Sequence, residues 1–136
     1  MSTNWVKDIY TMHAKYGVHD CVKSFDAEKL QKFLEFRLSF LDEELNETKA
    51  AARQSPIDAE EVVDGLIDLC VVAIGTLDAF GVNAYAAWDR VQEANMTKQI
   101  GIKESRPNPL NLPDLVKPAG WIAPSHIGNH GKLSGL

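Results

Sequence analysis

Six carboxylates stand at spacings that suit joint chemistry: Glu43, Glu44 and Glu47 in one stretch, Glu61, Asp64 and Asp68 in another. On a helical wheel at 100° per residue, Leu34, Leu38, Leu41 and Leu45 make one apolar strip and Phe33, Phe36 and Phe40 the strip beside it. One and two turns further on, the aromatic strip arrives at Glu43, Glu44 and Glu47, while Asp42, Asn46 and Lys49 fall on the opposite side. Like charges at i, i+3 and i+4 repel by a few tenths of a kcal/mol each, so this arrangement calls for a cation. In the second stretch, residues 61–77, apolar side chains cover nearly the whole circumference, the pattern of a helix surrounded by protein. Its exceptions, Glu61, Asp64 and Asp68, lie within about 60° of arc, with Gly65 leaving room beside them. Two carboxylate stripes on sides that should be buried suit a hard, oxygen-seeking divalent ion. Mg²⁺ or Mn²⁺ is indicated, because no His or Cys stands on the acidic face to favour zinc.

Clustered glutamates on one helix are usually a solvated face. The stripe on the apolar helix opposes that reading, since ionised carboxylates are seldom buried without a partner. A ferritin-like di-metal redox bundle wants Glu-x-x-His on two helices, and neither acidic stretch contains His. A non-catalytic helical oligomerisation or interaction module is the remaining alternative. Other candidate contacts are Arg37, on the strip of Phe33, Phe40 and Glu44, and Asn95 and Lys98 at the end of an apolar stripe running through Ala84, Trp88 and Val91. His13, Lys15 and Tyr16 are candidate ligand contacts, although ordinary surface and core roles are the simpler account of each.

The elements that carry these residues are helices. Trp5, Ile9, Met12 and Tyr16 predict a first helix over residues 3–16 that stops at Gly17, followed by a connection over 18–24. Asp26 is placed to cap a long helix over 27–52. Ser55 followed by Pro56 reads as an N-cap and first helical position, opening a third helix that runs to about Phe80 and Gly81. Asn83 can cap a fourth. Beyond Ile100 the composition changes: five of six prolines and five of nine glycines fall in residues 101–136, which excludes long regular elements there. Leu110, Leu112, Leu115, Val116, Trp121 and Ile122 still give this tail enough apolar surface to lie on the helical body or on a neighbouring subunit. His126 and His130 have a metal-ligand spacing, but the glycines around them argue against a helix. No strand pattern stands out. The expected fold is all-α, a four- to five-helix bundle over residues 1–100 with an extended Pro/Gly-rich tail over 101–136.

With 136 residues the chain is one domain's worth. A net charge of −5 argues against binding a nucleic acid polymer. Two widely spaced cysteines read as reduced thiols. There is no signal-peptide pattern, and the apolar run over residues 69–74 is too short to cross a bilayer. A cytoplasmic protein without a membrane partner is expected. A helix apolar on nearly every side also predicts a homo-dimer or homo-tetramer.

Residues 5–100 resemble the MazG-like all-α nucleoside triphosphate pyrophosphohydrolases, a superfamily that includes dimeric dUTPases and phosphoribosyl-ATP pyrophosphohydrolases. The likeness rests on R-x-x-F-L-x-E-E-L over residues 37–45, on Glu47 completing the family's ExxE element, on Asp64 through Gly75, Thr76 and Leu77, and on Asn95, Met96, Thr97 and Lys98. The tail over 117–124 is similar to the segment after this core in phage-type members, for which the location would be the host cytoplasm. The family's second element, ExxD, departs here. Glu61 to Asp64 spell it literally, but register through Gly75 puts the family's Asp on Asp68 and Gly65 where its Glu stands. Asp64 or Glu61 must then substitute. The resemblance implies hydrolysis of a (d)NTP to (d)NMP and diphosphate with two or three Mg²⁺ or Mn²⁺ ions. Glu44, Glu47 and Asp68 would be metal ligands, Asp64 and Glu61 candidates for a fourth, and Glu43 a further ligand or the base that orients water. Arg37 and Lys98 would contact phosphate, and Asn95 a ligand oxygen. A deoxynucleotide is favoured, dGTP among the possibilities.

Overall fold

A computed structural model of the chain describes every residue except Pro107 and Leu112; Leu112, counted above among the tail's apolar residues, lies outside the described set. Five helices dominate: α1 Trp5–Lys15, α2 Val18–Lys23, α3 Ala27–Ala52, α4 Ala59–Ala79 and α5 Ala84–Met96. The structure falls into two compact units, one of residues Met1–Ala84 with His130–Leu136, the other of Tyr85–Asn129.

In the first unit α3 has the expected bounds, its start fixed by Asp26, whose side chain accepts the Lys29 N–H. Asn4 caps α1 likewise through the Lys7 N–H. Two expectations are corrected here. Residues 18–24 are not a plain connection: Gly17 adopts the left-handed conformation (φ 74°) that ends α1, and the chain turns directly into α2. The third long helix begins at Ala59 rather than at Pro56, because Asp58, not Ser55, caps it by accepting the Glu61 N–H. The Ser55–Pro56 bond is cis and lies in the connection.

Helices α3 and α4 are the antiparallel backbone of this unit. At one end of the pair Phe80, fully buried, packs with Val22, Leu30 and Ala79, and Phe25, Phe33, Leu34 and Leu133 close around them. The rings of Phe33 and Phe80 stack at 5.8 Å between centroids, and Phe25 meets Phe33 edge-on. A 3₁₀ turn at Gly131–Gly135 returns to this core, its Lys132 N–H donating to the Phe80 carbonyl.

The expectation that α4 is surrounded by protein does not hold within one chain. Its inward side, marked by Gly65, Val72, Gly75 and Ala79, is buried, but Val63, Leu66 and Ile67 on the other side are exposed. One chain has too few helices to cover both sides.

In the second unit a two-stranded antiparallel ladder pairs β1 Gln99–Gly101 with β2 Asp114–Val116. It is the one correction to a strand-free reading, and it is too short to change the all-α class. Asp114 is pinned by Arg106 at 2.7 Å, and the Leu115 N–H and Arg106 together hold its carboxyl below the usual carboxylate range. Trp121 donates its indole N–H to the Ala94 carbonyl, 2.9 Å away, which ties the tail to α5. No single helix among the described residues is long and apolar enough to cross a membrane.

Candidate functional site

Close packing of α3 on α4 fixes where the carboxylates stand. At Gly65 a Cβ would collide with Thr48 Oγ1 and lie 3.2 Å from Thr48 Cβ. Thr48 is buried and donates its hydroxyl to the Glu44 carbonyl. At Gly75 a Cβ would fall 2.6 Å from Arg37 Nη2 and 3.1 Å from His13 Cε1. Gly65 lets α3 and α4 come together beside Asp64 and Asp68, and Gly75 makes room for the Arg37 guanidinium and the His13 ring. The spacing of Gly65 beside Asp64 and Asp68, read above as room for the acids, is therefore room for the opposite helix.

At the Gly65 end of this packing, Glu44 from α3 is brought to Asp64 and Asp68 from α4. Its carboxyl is raised above the ordinary carboxylate range, first by partial loss of hydration and then by the charges of Asp68, Glu47, Glu43 and Asp64. Five of the six acids singled out in the sequence thus converge. Glu61 is not among the charges that act on Glu44. Glu43, Glu47, Glu61 and Asp64 are all exposed, so the two stripes are solvated along much of their length and not buried as expected. None of the five converging side chains forms an ion pair with a protein cation among the described residues. An uncompensated anionic cluster made wholly of carboxylates fits a hard divalent ion.

The other candidates from the sequence have these surroundings. Arg37 lies between α3 and α4, its Nε donating to Thr76 Oγ1 at 3.0 Å and its Nη2 to the Val72 carbonyl at 2.9 Å. Burial lowers its pKa. The guanidinium expected as a phosphate contact is engaged with the neighbouring helix through these two donors. Tyr16 is exposed, with Lys15 over its ring at 5.2 Å. Asn95 and Lys98 belong to the second unit, where Lys98 and Lys117 flank the Trp121 ring at 5.4 and 4.9 Å.

His13 is neither a surface residue nor an ordinary core residue. Its Nδ1 lies 2.7 Å from Asp78 Oδ2, and His19 Nε2 reaches the same oxygen at 2.7 Å. His19 and Asp78 are not among the residues that the sequence singles out. The two histidines lie on different helices, so no periodicity links them. The usable signal is Asp78 itself, a further acid on an otherwise apolar helix. Among the described residues, His13, His19 and Asp78 are the one group of three metal-ligand types whose donor atoms all lie within 4.8 Å of one another. The α3–α4 carboxylates are spaced more widely.

The profile of the phosphoribosyl-ATP pyrophosphohydrolase family matches residues 18–95, more than half of the chain. The chain belongs to this family. The match spans α2 to the end of α5 and takes in all six acids. Membership places the fold within the MazG-like superfamily and implies a pyrophosphohydrolase-type activity on a nucleotide. No curated protein and no solved structure matches the chain.

Proposed function

We propose that the chain is a divalent-metal-dependent nucleotide pyrophosphohydrolase that splits the α–β phosphoanhydride of a nucleoside triphosphate to give the monophosphate and diphosphate. The observation that carries this reading is the raised carboxyl of Glu44 amid Asp68, Glu47, Glu43 and Asp64, with no protein cation among the described residues paired to any of them. Glu44, Glu47, Asp64 and Asp68 would hold Mg²⁺ or Mn²⁺, two or three ions in the family's manner. Bound there, the metal supplies charge neutralisation on the phosphate oxygens. Glu43, on the exposed rim of the cluster, is the base that orients water toward the α-phosphorus. Arg37 enters as a positioning residue, holding α3 against α4 so that the two halves of the carboxylate set keep their register.

A deoxynucleoside triphosphate such as dGTP remains the favoured substrate, with phosphoribosyl-ATP, from the family description, as the competitor to test. The tail over 117–124 supports a phage-type member. The exposed apolar residues Val63, Leu66 and Ile67 on α4 and Leu38 and Leu45 on α3 support a homo-dimer or homo-tetramer in which a second copy covers them. Diphosphate release measured over all canonical NTPs, dNTPs and phosphoribosyl-ATP in ¹⁸O-labelled water tests the proposal. Label in the nucleoside monophosphate is expected. Orthophosphate as first product, or label confined to inorganic phosphate, overturns it.

A further inference from the structure

We propose that His13, His19 and Asp78 form a second metal site, for Zn²⁺ or a similar late first-row divalent ion, which ties α1, α2 and α4 together and is separate from the carboxylate cluster. Three helices converge on one carboxylate oxygen, with His13 Nδ1 and His19 Nε2 each 2.7 Å from Asp78 Oδ2. The side chains are 6%, 23% and 13% exposed for His13, His19 and Asp78, so the group is inside the fold rather than on a solvated face.

The donor set decides the class of ion. Two imidazole nitrogens and one carboxylate oxygen suit Zn²⁺ and its neighbours, whereas Mg²⁺ prefers an all-oxygen shell. Ligand atoms about 2.0–2.1 Å from a tetrahedral ion are about 3.3 Å from one another. The 2.7 Å contacts therefore need to open by roughly half an ångström, and each imidazole must carry its proton on the ring nitrogen away from Asp78, exchanged through solvent, so that the nitrogen facing Asp78 is free to bind the ion.

The rings are already aimed. The Cε1–Nε2 edge of His13 is backed by Gly75, where no side chain intrudes, and Tyr10 lies beside His19 at 4.7 Å between centroids. His19 and Asp78 line an open cleft of about 630 Å³ together with Lys23, Asn83 and Lys132, which leaves water or an anion able to complete a fourth position. Asp78 is ten residues beyond Asp68 on α4, about 15 Å along the helix axis. The two sites do not share ligands.

Zn²⁺ titration by calorimetry in millimolar Mg²⁺, without nucleotide, should show one Zn²⁺ per chain. That equivalent should survive in the Glu44→Gln, Asp68→Asn double variant. It should weaken by at least about a hundredfold in His19→Gln and in Asp78→Asn, since loss of a direct ligand should cost no less than the upper end of what loss of an outer-shell partner costs. If those variants prove misfolded by circular dichroism, the wild-type imidazole resonances decide. Zn²⁺ must shift those of His13 and His19 and leave His126 and His130 unmoved. A Zn²⁺ equivalent that is absent, that disappears with the Glu44 and Asp68 substitutions, or that leaves the His13 and His19 resonances in place overturns the site. Pyrophosphohydrolase activity is assayed with Mg²⁺ alone, so its loss or survival is read separately.

Discussion

Replacing Gly65 by alanine adds one methyl group at the tightest point of the α3–α4 packing. The new Cβ collides with Thr48 Oγ1, and 3.2 Å from Thr48 Cβ is tighter than comfortable contact. Thr48 cannot simply swing away, since its hydroxyl is held by the Glu44 carbonyl and its branched side chain has few helical rotamers. The helices must part by roughly 1 Å to restore ordinary contact. Overpacking of this kind costs about 1–3 kcal/mol, and alanine's better helix propensity offsets about 0.5–1 of it. The net loss is about 0.5–2 kcal/mol. For 136 residues an unfolding entropy of about 2.1 cal/mol/K per residue makes this a fall in Tm of roughly 2–7 °C. The same displacement separates Glu44 and Glu47 from Asp64 and Asp68, and misplacement by about 1 Å costs on the order of a hundredfold in rate. Differential scanning calorimetry and diphosphate release check both numbers. Thr48→Ala in the Gly65→Ala background should recover much of each loss, with a coupling of about 1 kcal/mol in the double-mutant cycle. A Gly65→Ala protein as stable and as active as wild type would refute the close approach and the geometry built on it.

Glu47→Gln and Asp68→Asn each keep shape while removing a charge, and each should lower turnover at saturating Mg²⁺ by at least about a hundredfold. Because the folded-state pKa of Glu44 is raised, the native protein binds more protons than the unfolded chain over that range. Metal-free stability should therefore fall as pH rises from the ordinary carboxyl value through the raised one. Thermal melts in EDTA between about pH 4 and pH 7 should show this slope, and Glu44→Gln should flatten it. Arg37→Met removes the donors to Thr76 and Val72; since Thr76 Oγ1 still donates to the Val72 carbonyl, the expected cost is modest, about 1–2 kcal/mol by urea denaturation. Light scattering at micromolar concentration should give a particle larger than the 15.1 kDa chain, and a monomer would count against burial of Leu66 and Ile67 by a second copy.

The long helices are legible in the sequence because their signals are local: an aspartate cap at Asp26, a periodic apolar strip, and charged residues falling consistently to one side. The convergence of five acids is legible for the same reason, since each stripe marks the direction in which its partner must lie. The α2 helix escapes notice because six residues carry too little periodicity to separate a helix from a turn. The start of α4 differs from the expected one because two adjacent capping signals, Ser55 with Pro56 and Asp58, compete, and Asp58 prevails by accepting the Glu61 N–H while its own N–H returns to the Ala51 carbonyl. Arg37 and the His13, His19 and Asp78 group are beyond reach for another reason. Their partners are set by three-helix packing at Gly75, and a wheel gives directions around one helix, not neighbours on another.

The return of Lys132 to Phe80 has a consequence for how the chain is made. The core residues Val22, Leu30, Ala79 and Phe80 all leave the ribosome early, yet the Phe80 and Val22 carbonyls accept from Lys132, which follows Phe80 by about 50 residues and Val22 by 110. During synthesis the first unit must wait with the end of α4 open while residues 85–129 are still emerging. Closing so long a loop costs little more than closing a short one, because the entropy grows only logarithmically with length. The delay is thus one of time rather than of energy. A pause in translation between Ala84 and His130 would expose the Phe80 end of the core to other nascent chains for as long as it lasted.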